Sequence, residues 1–180
     1  MLEIKTVSSA LPEIRQCVAL YRRAFPLRER FPLWLLRLLA RRNCADFLAF
    51  YDGGTLCAMA YLIYCRELTY VLYLAVDDSL RSKGYGSQVL SIIKEKYPAK
   101  TMALSIERAD SSAPDDQPAR RLRFYQRNGF TDTGLLSVQG GESYQVLCCG
   151  GPFDPARYKA LIHQFTFGLY ADRLRIRRPV

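Results

Sequence analysis

Short apolar runs of strand length alternate with longer segments of helical periodicity along this chain. In the first such segment, Ile14, Val18 and Tyr21 recur at the spacing of one helix face, and Pro26 follows as a breaker. The pattern predicts strands at residues 2–7, 46–51, 55–65, 69–76, 101–107, 130–136 and 144–149. It predicts helices at residues 11–25, 32–42, 84–97 and 120–128, and a further helix after Asp154. This alternating order indicates an α/β (α+β) fold.

The second predicted helix is amphipathic. Its apolar residues are predicted to face one way and its basic residues the other: Trp34, Leu35, Leu38 and Leu39 against Arg37, Arg41 and Arg42. Such a helix usually packs on a core, although an arginine-edged helix can also lie on a membrane surface.

Turn-forming residues mark the ends of these elements. Asp52-Gly53-Gly54 predicts a hairpin, Gly129 a cap at the end of a helix, and Gly140-Gly141 a turn between the last two predicted strands. Residues 109–118 are rich in Asp, Ser and Pro and are predicted to form a loop.

The last thirty residues form a separate feature. Asp154-Pro155 is an N-cap followed by proline at the first helical position, and four apolar residues recur on one helix face: Tyr158, Leu161, Ile162 and Phe165. This helix either completes a substrate pocket, covers a sheet edge or forms a homodimer contact. The basic tail at 173–178 is predicted to be solvated, with tethering to an anionic surface as the alternative. We therefore predict a domain at 1–150 and, packed on it, a helix and tail at 151–180.

Composition is that of one cytoplasmic domain. The 180 residues are 49% apolar and 24% charged, enough to bury a full core. The N-terminus has no secretory pattern, and no apolar run approaches the ~20 residues of a membrane span. The six cysteines and single histidine, His163, show no metal-ligand spacing. We expect free thiols, a reducing compartment and no metal.

The net charge of +9 is compatible with nucleic acid, an anionic membrane surface or an anionic small ligand. The sequence contains no helix-turn-helix, zinc-finger or RNA-recognition signature. Nucleic acid is therefore the least favoured of these partners.

A strand at 72–76 leads through a basic, glycine-bearing turn into a helix. Gly84 and Gly86 lack the Cβ atoms that would keep a pyrophosphate from the backbone, and free amides at the helix start attract an anion. Arg81 and Lys83 add positive charge at the rim. The alternative is that both glycines serve only the turn.

Two motifs resemble those of the GNAT superfamily of N-acetyltransferases. Arg81-Ser82-Lys83-Gly84-Tyr85-Gly86 is similar to its motif A, and Phe124-Tyr125-Gln126-Arg127-Asn128-Gly129-Phe130 is similar to its aromatic-Tyr-x-x-x-Gly-Phe element. The resemblance covers residues 2–149. It implies a mixed, mostly antiparallel central sheet flanked by helices, with the C-terminal helix as an addition, and acetyl-CoA as co-substrate.

The same resemblance assigns residues to the cofactor. They are Leu74, Ala75 and Val76, whose backbone would bind the pantetheine arm, and Arg81, Ser82, Lys83, Gly84, Tyr85, Gly86 and Ser87, which would hold the phosphates. The amide of Val76 would stabilise the oxyanion. Members of the family often carry Asn and Ala ahead of the tyrosine, whereas this chain has Gln117-Pro118-Ala119-Arg120-Arg121. Arg121 and Arg123 either grip a cofactor phosphate instead or are only solvated.

Two side chains are candidates for proton transfer. Glu107 ends the strand at 101–107 and is either the base that takes a proton from the amine or half of an ion pair with Arg108 or Arg121. Tyr125 either donates a proton to the leaving thiolate or packs under the cofactor. Together these residues favour an N-acetyltransferase that acts on a primary amine of a small molecule or peptide. A non-catalytic acyl-CoA sensor is second, and a basic nucleic-acid module third.

Overall fold

The structure, a computed structural model, describes residues 2–8, 14–109, 116–139, 141–169 and 174–178. In this part of the chain the strands are β1 (Glu3–Thr6), β2 (Ala45–Asp52), β3 (Thr55–Tyr64), β4 (Leu68–Val76), β5 (Thr101–Glu107), β6 (Thr131–Gln139), β7 (Glu142–Cys149) and β8 (Leu174–Arg177). The helices are α1 (Ile14–Ala24), α2 (Leu33–Leu39), α3 (Tyr85–Lys96), α4 (Gln117–Arg127) and α5 (Pro155–Thr166). The strands follow the order β1-β2-β3-β4-β5-β7-β6-β8 in a mostly antiparallel sheet, which confirms the predicted fold class.

The chain divides into two compact units, each described here by itself. Unit 1 comprises Met1–Ile63 and Val71–Pro98, and unit 2 comprises Tyr64–Tyr70 and Ala99–Val180. The predicted boundary at residue 150 stays a prediction.

Unit 1 contains an antiparallel β1-β2-β3 arrangement. The predicted hairpin is confirmed: Asp52 pairs with Thr55, and both Gly53 and Gly54 have positive φ values of 52° and 81°. Positive φ at both central residues matches the right-handed twist of the flanking strands, and glycine adopts it without strain. All but the two ends of β3 is buried, so both faces of this strand are covered.

The predicted orientation of α2 is wrong. Leu36 and Leu39 are buried, whereas Trp34 is 67% exposed and Leu38 51% exposed. The helix has only seven residues and packs against β2, and its Leu36 carbonyl accepts a hydrogen bond from the buried Tyr61 hydroxyl of β3. Tertiary contacts therefore choose the buried face of this helix, which is almost uniformly apolar.

Unit 2 is built on the antiparallel order β5-β7-β6-β8. The predicted C-terminal helix is confirmed as α5, with Tyr158, Leu161, Ile162 and Phe165 all buried. The Asp154 side chain caps it by accepting from the amides of Ala156 and Arg157.

Two further expectations concern unit 2. Arg175 and Arg177 of the basic tail are exposed, as expected of a solvated segment, but the segment also forms a strand that was not predicted: Leu174–Arg177 pairs with Leu136–Gln139 as β8. The helix predicted to begin at Arg120 begins at Gln117, since Asp116 caps it through a 2.7 Å bond from the Ala119 amide and Pro118 is compatible with the first turn. Residues 110–115 of the predicted loop lie outside the described residues.

Three further findings concern the described residues as a whole. None of their helices has both the length and the apolar character needed to cross a membrane. All six cysteines are free. The described side chains form no group of three or more His, Cys, Asp or Glu that could hold a metal ion.

Candidate active site

The end of β4 in unit 1 carries the first group of predicted cofactor residues. Alternation along the strand leaves Leu74 and Val76 partly exposed on one face, while Tyr73 and Ala75 are buried on the other. The next residue, Asp77, leaves the strand with its amide bonded to the Cys57 carbonyl at 2.8 Å. The backbone of residues 74–76 is therefore held firmly at its C-terminal end.

Asp77 organises the turn that follows. Its carboxylate accepts from the Ser79 hydroxyl at 2.7 Å and from the Ser79 amide at 3.0 Å, and it forms a 2.7 Å ion pair with Arg23. The bonds from Ser79, together with Arg23, hold the pKa of Asp77 below its usual value. Arg23 also bonds Asp78 at 3.1 Å, which fastens the end of α1 to the turn.

The N-terminus of α3 has the features of an anion cradle. Gly84 precedes the helix with a φ of 83°, no side chain caps the helix, and its first turn contains no acidic residue. A Cβ at Gly84 would meet only Gln88 Nε2, at 3.9 Å, so the space beside the backbone is open. The first-turn amides of Tyr85, Gly86 and Ser87 precede the first intrahelical bond, from Gln88 to Gly84. They are therefore available to a phosphate group, and the residues present fit coenzyme A.

The side chains of the cradle are held by their neighbours. Arg81 forms a 2.5 Å ion pair with Asp78, and Lys83 is exposed. The Tyr85 hydroxyl donates to Asp52 at 2.8 Å, and this bond raises the pKa of Tyr85 to about 12. Ser82 has a positive φ of 63°, which is strained for a residue other than glycine. The turn is thus fastened at both ends, to α1 and to the β2–β3 hairpin.

Unit 2 contains the second group of predicted site residues. Glu107 ends β5, and its Oε2 accepts from Arg121 Nη1 on α4 at 3.1 Å. Of the two ion pairs considered for Glu107, the structure shows the one with Arg121. Tyr125 lies four residues after Arg121, one helical turn along the same face.

The ring of Tyr125 is half-buried and contacts two aromatic side chains. Phe124 and Phe130 meet it edge to face, with centroids 5.0 and 5.6 Å away. Burial raises the pKa of Tyr125 to about 12, although the nearby positive charge of Arg121 opposes the rise. No hydrogen bond joins its hydroxyl to another described residue. The phenol is therefore protonated at neutral pH and able to donate.

The structure thus brings the predicted site residues together in two groups. Unit 1 holds residues 74–76 and 81–87, and unit 2 holds Glu107, Arg121 and Tyr125. The sequence analysis missed Asp77 and Arg23. An Asp two residues before a Ser is a capping signal that points to Asp77, but nothing local pairs it with an arginine 54 residues away.

Comparison with known families and structures identifies the family and the fold. The model of the acetyltransferase (GNAT) domain matches residues 43–132, which is half of the chain. This chain belongs to the GNAT acetyltransferase family, a class of acetyl-CoA-dependent N-acetyltransferases. A search of curated protein sequences gives no significant match.

Solved structures share the fold. An acetyltransferase of the GNAT family from Bacteroides thetaiotaomicron is 23% identical, with a TM-score of 0.71 over 93% of this chain and 99% of that one. A ribosomal-protein alanine N-acetyltransferase from Escherichia coli is 14% identical, with a TM-score of 0.62 over 86% and 96%. An aminoglycoside 6'-N-acetyltransferase complexed with coenzyme A is 15% identical, with a TM-score of 0.65 over 84% and 99%. At these identities the likeness establishes the fold.

Proposed function

We propose that this protein transfers the acetyl group of acetyl-CoA to a primary amine of a small molecule or a peptide. The observation that carries the proposal is the uncapped, glycine-bearing N-terminus of α3, which follows β4 after the turn at residues 77–84. An open helix start without acidic residues suits the pyrophosphate of coenzyme A. The amides of residues 84–87 and the charges of Arg81 and Lys83 would hold it.

The backbone at the end of β4 would position the thioester. In this scheme Leu74, Ala75 and Val76 bind the pantetheine arm, and the Val76 amide donates to the oxyanion that forms when the amine attacks. A preformed backbone donor of this kind contributes ~3 kcal/mol to the transition state. The bond from the Asp77 amide to Cys57 supports this role, because it fixes the peptide that follows Val76.

Tyr125 would act on the leaving group. A phenol of pKa about 12 does not fully ionise toward a thiolate of pKa about 8.5, since that transfer is uphill by about 5 kcal/mol. It donates a hydrogen bond to the developing thiolate instead. The proton that completes the thiol is the one that the attacking nitrogen loses when the amide forms. The proton that Glu107 would take is an earlier one, whose loss converts the ammonium ion into the neutral amine. Arg121 would bind a cofactor phosphate or hold Glu107.

Glu107 is the proposed acceptor of the amine proton. Its ion pair with Arg121 favours the second candidate, a sensor that binds acyl-CoA without turnover, because Arg121 engages one of the two carboxylate oxygens, Oε2. The two functions differ in one measurable step. A sensor binds acetyl-CoA and releases no thiol, whereas the enzyme releases one thiol for each amine acetylated.

The proposal includes two classes of acceptor amine. The similar structures named above include enzymes for a ribosomal protein and for aminoglycosides, so the fold admits both macromolecular and small acceptors. Nucleic acid has no place in this scheme. The free thiols fit a reducing compartment, and we place the reaction in the cytoplasm.

Thiol release from acetyl-CoA tests the proposal. The purified protein is assayed with amines, amino acids, aminoglycosides and peptides, and coenzyme A binding is measured in parallel by thermal shift. We expect a rise in Tm with coenzyme A and thiol release with at least one acceptor class. Binding without release from any acceptor would favour the sensor, and the absence of both would refute the assignment.

A further inference from the structure

The connection between α1 and α2 in unit 1 is fastened to strand β4. This connection contains a short 3-10 helix at Leu27–Glu29. The Tyr73 hydroxyl donates to the Glu29 carbonyl at 2.7 Å and accepts from the Phe31 amide at 3.0 Å. The Tyr21 hydroxyl donates to the Phe31 carbonyl at 3.0 Å. Both neighbours of Arg30 are therefore held in place, and the position of Arg30 is preorganised.

The Arg30 side chain lies beside two buried phenols. Burial raises the pKa of both Tyr21 and Tyr73, and the positive charge of Arg30 opposes the rise at each. The Tyr73 ring meets those of Tyr21 and Phe25 at centroid distances of 5.0 and 4.7 Å. An aromatic wall of this kind keeps water away and strengthens an electrostatic contact made against it.

Arg30 has no ion-pair partner within the described part of the chain, although the carboxylate of Glu29 also acts on Tyr73. The Nε of Arg30 is buried without a hydrogen-bond partner, and no carboxylate of the described residues pairs with its guanidinium. Some other arginines of unit 1 have acidic partners, as Arg23 has in Asp77 and Arg28 in Glu29. Only the Nε of Arg30 is buried, and the residue as a whole is half-buried. A buried charged donor atom without an acceptor is costly, and an anion supplied by a ligand would offset that cost.

The position of Arg30 relates it to the proposed reaction. Tyr73 precedes Val76 by three residues on β4, which corresponds to ~10 Å along a strand, and its side chain lies on the face opposite to that of Val76. The group of Val76 that concerns the reaction is its backbone amide, which belongs to neither face. An arginine side chain and a molecule of amino-acid size together span a distance of this order. The planar guanidinium fork matches a carboxylate through two parallel hydrogen bonds.

We propose that Arg30 binds a carboxylate of the acceptor, so that the acceptor is an amine that also carries a carboxylate, as an amino acid does. This inference rests on the proposed function, because it names the substrate class of the same reaction. It makes Arg30 a specificity-determining residue that touches substrate and takes no part in proton transfer.

Matched acceptors test the inference. Thiol release is measured for free amino acids and for their carboxamides, which keep the amine and lose the negative charge. The variants are Arg30→Gln, which removes the charge, and Arg30→Lys, which keeps the charge and loses the fork. Arg28→Gln, at an exposed position two residues away, is the matched control.

We expect the wild type to prefer free amino acids to their carboxamides by ~10- to 100-fold in kcat/KM. Arg30→Gln should remove this preference by raising KM for the carboxylates, with kcat and the carboxamide kinetics nearly unchanged. Arg30→Lys should retain part of the preference, and Arg28→Gln all of it.

The outcomes separate this inference from the proposed function. Equal use of acids and carboxamides by the wild type, or an equal effect of Arg30→Gln on both, overturns the inference and leaves acetyl transfer standing. If no acceptor is acetylated, the proposed function fails. Calorimetric titration with N-acetyl amino acids then decides the role of Arg30: binding that Arg30→Gln abolishes supports it, and no binding overturns it.

Discussion

Arg121 on α4 donates from Nη1 to Oε2 of Glu107 at the end of β5, across 3.1 Å. Each side chain is 37% exposed, so the ion pair itself contributes ~1 kcal/mol or less to stability. Tyr125 follows one turn later on the same helix. The pair therefore links a candidate base to the helix that carries the candidate acid.

Glu107→Gln keeps the shape of the side chain and removes its ability to accept a proton. If Glu107 is the base, we expect kcat to fall by ~100-fold or more while the affinity for coenzyme A is unchanged. Arg121→Gln is the control, because it breaks the same ion pair and leaves the carboxylate. Equal, small losses of Tm in both variants with normal kcat would show that Glu107 is structural.

Tyr125→Phe removes one hydroxyl and keeps the ring between Phe124 and Phe130. We expect little change in acetyl-CoA affinity and a fall in kcat of roughly 10- to 1,000-fold, because coenzyme A is already a good leaving group. Since burial raises the pKa of Tyr125 to about 12, the phenol should remain a donor from neutral pH up to about pH 10.

Tyr97→Phe is the matched control for Tyr125→Phe. It removes a hydroxyl that bonds Asp46 at 2.6 Å and has no proposed catalytic role. We expect a lower Tm and an unchanged kcat. A Tyr125→Phe variant that behaves in the same way would make Tyr125 a packing residue.

Gly86→Val places a β-branched side chain at the proposed phosphate cradle. Coenzyme A at 100 times its Kd stabilises the wild type by ~2.7 kcal/mol, or roughly 5–10 °C in Tm. We expect Gly86→Val to lose this shift. Ser91→Val adds the same side chain at an exposed position further along α3 and should keep it. Retention of the shift in both variants would place coenzyme A elsewhere.

Asp77→Asn separates the effect of the charge on stability from the effect of capping, because asparagine is uncharged and still caps through its side-chain oxygen. The pKa of Asp77 is lower in the folded state than in the unfolded state, where it is about 3.9. The charge of Asp77 therefore stabilises the fold above about pH 3.9, and this stabilisation is lost as the pH falls through the folded-state pKa. At pH 7 we expect the variant to lose up to ~1 kcal/mol, or ~2–4 °C. Thermal melts from pH 7 to pH 3 should show the two curves converging. A difference in Tm that stays constant with pH would show that the lost stability comes from capping and not from the charge.

Local signals explain what the sequence could predict. The Gly53-Gly54 hairpin, the Asp154-Pro155 start of α5 and the bounds of β5 all depend on residues within a few positions of one another. Each of the two GNAT motifs likewise lies within one short segment of the sequence. These elements therefore agree with the structure to within one or two residues.

Contacts between distant segments explain what could not be predicted. The buried face of α2 is chosen by its packing on β2, and the stretch at 174–177 becomes a strand because β6 is there to pair with it. Asp77 meets Arg23 across 54 residues, and the loop around Arg30 meets Tyr73 across more than 40. Such pairings leave no periodic trace in one sequence.

The C-terminal strand also bears on how copies of this chain can associate. Arg175 and Arg177 of β8 are exposed, and β8 is the last strand in the sheet order. Two copies joined edge to edge through antiparallel β8 strands would bring these guanidinium groups face to face, and like charges across such a seam repel. The two arginines thus disfavour extension of the sheet at this edge by a second copy of the chain.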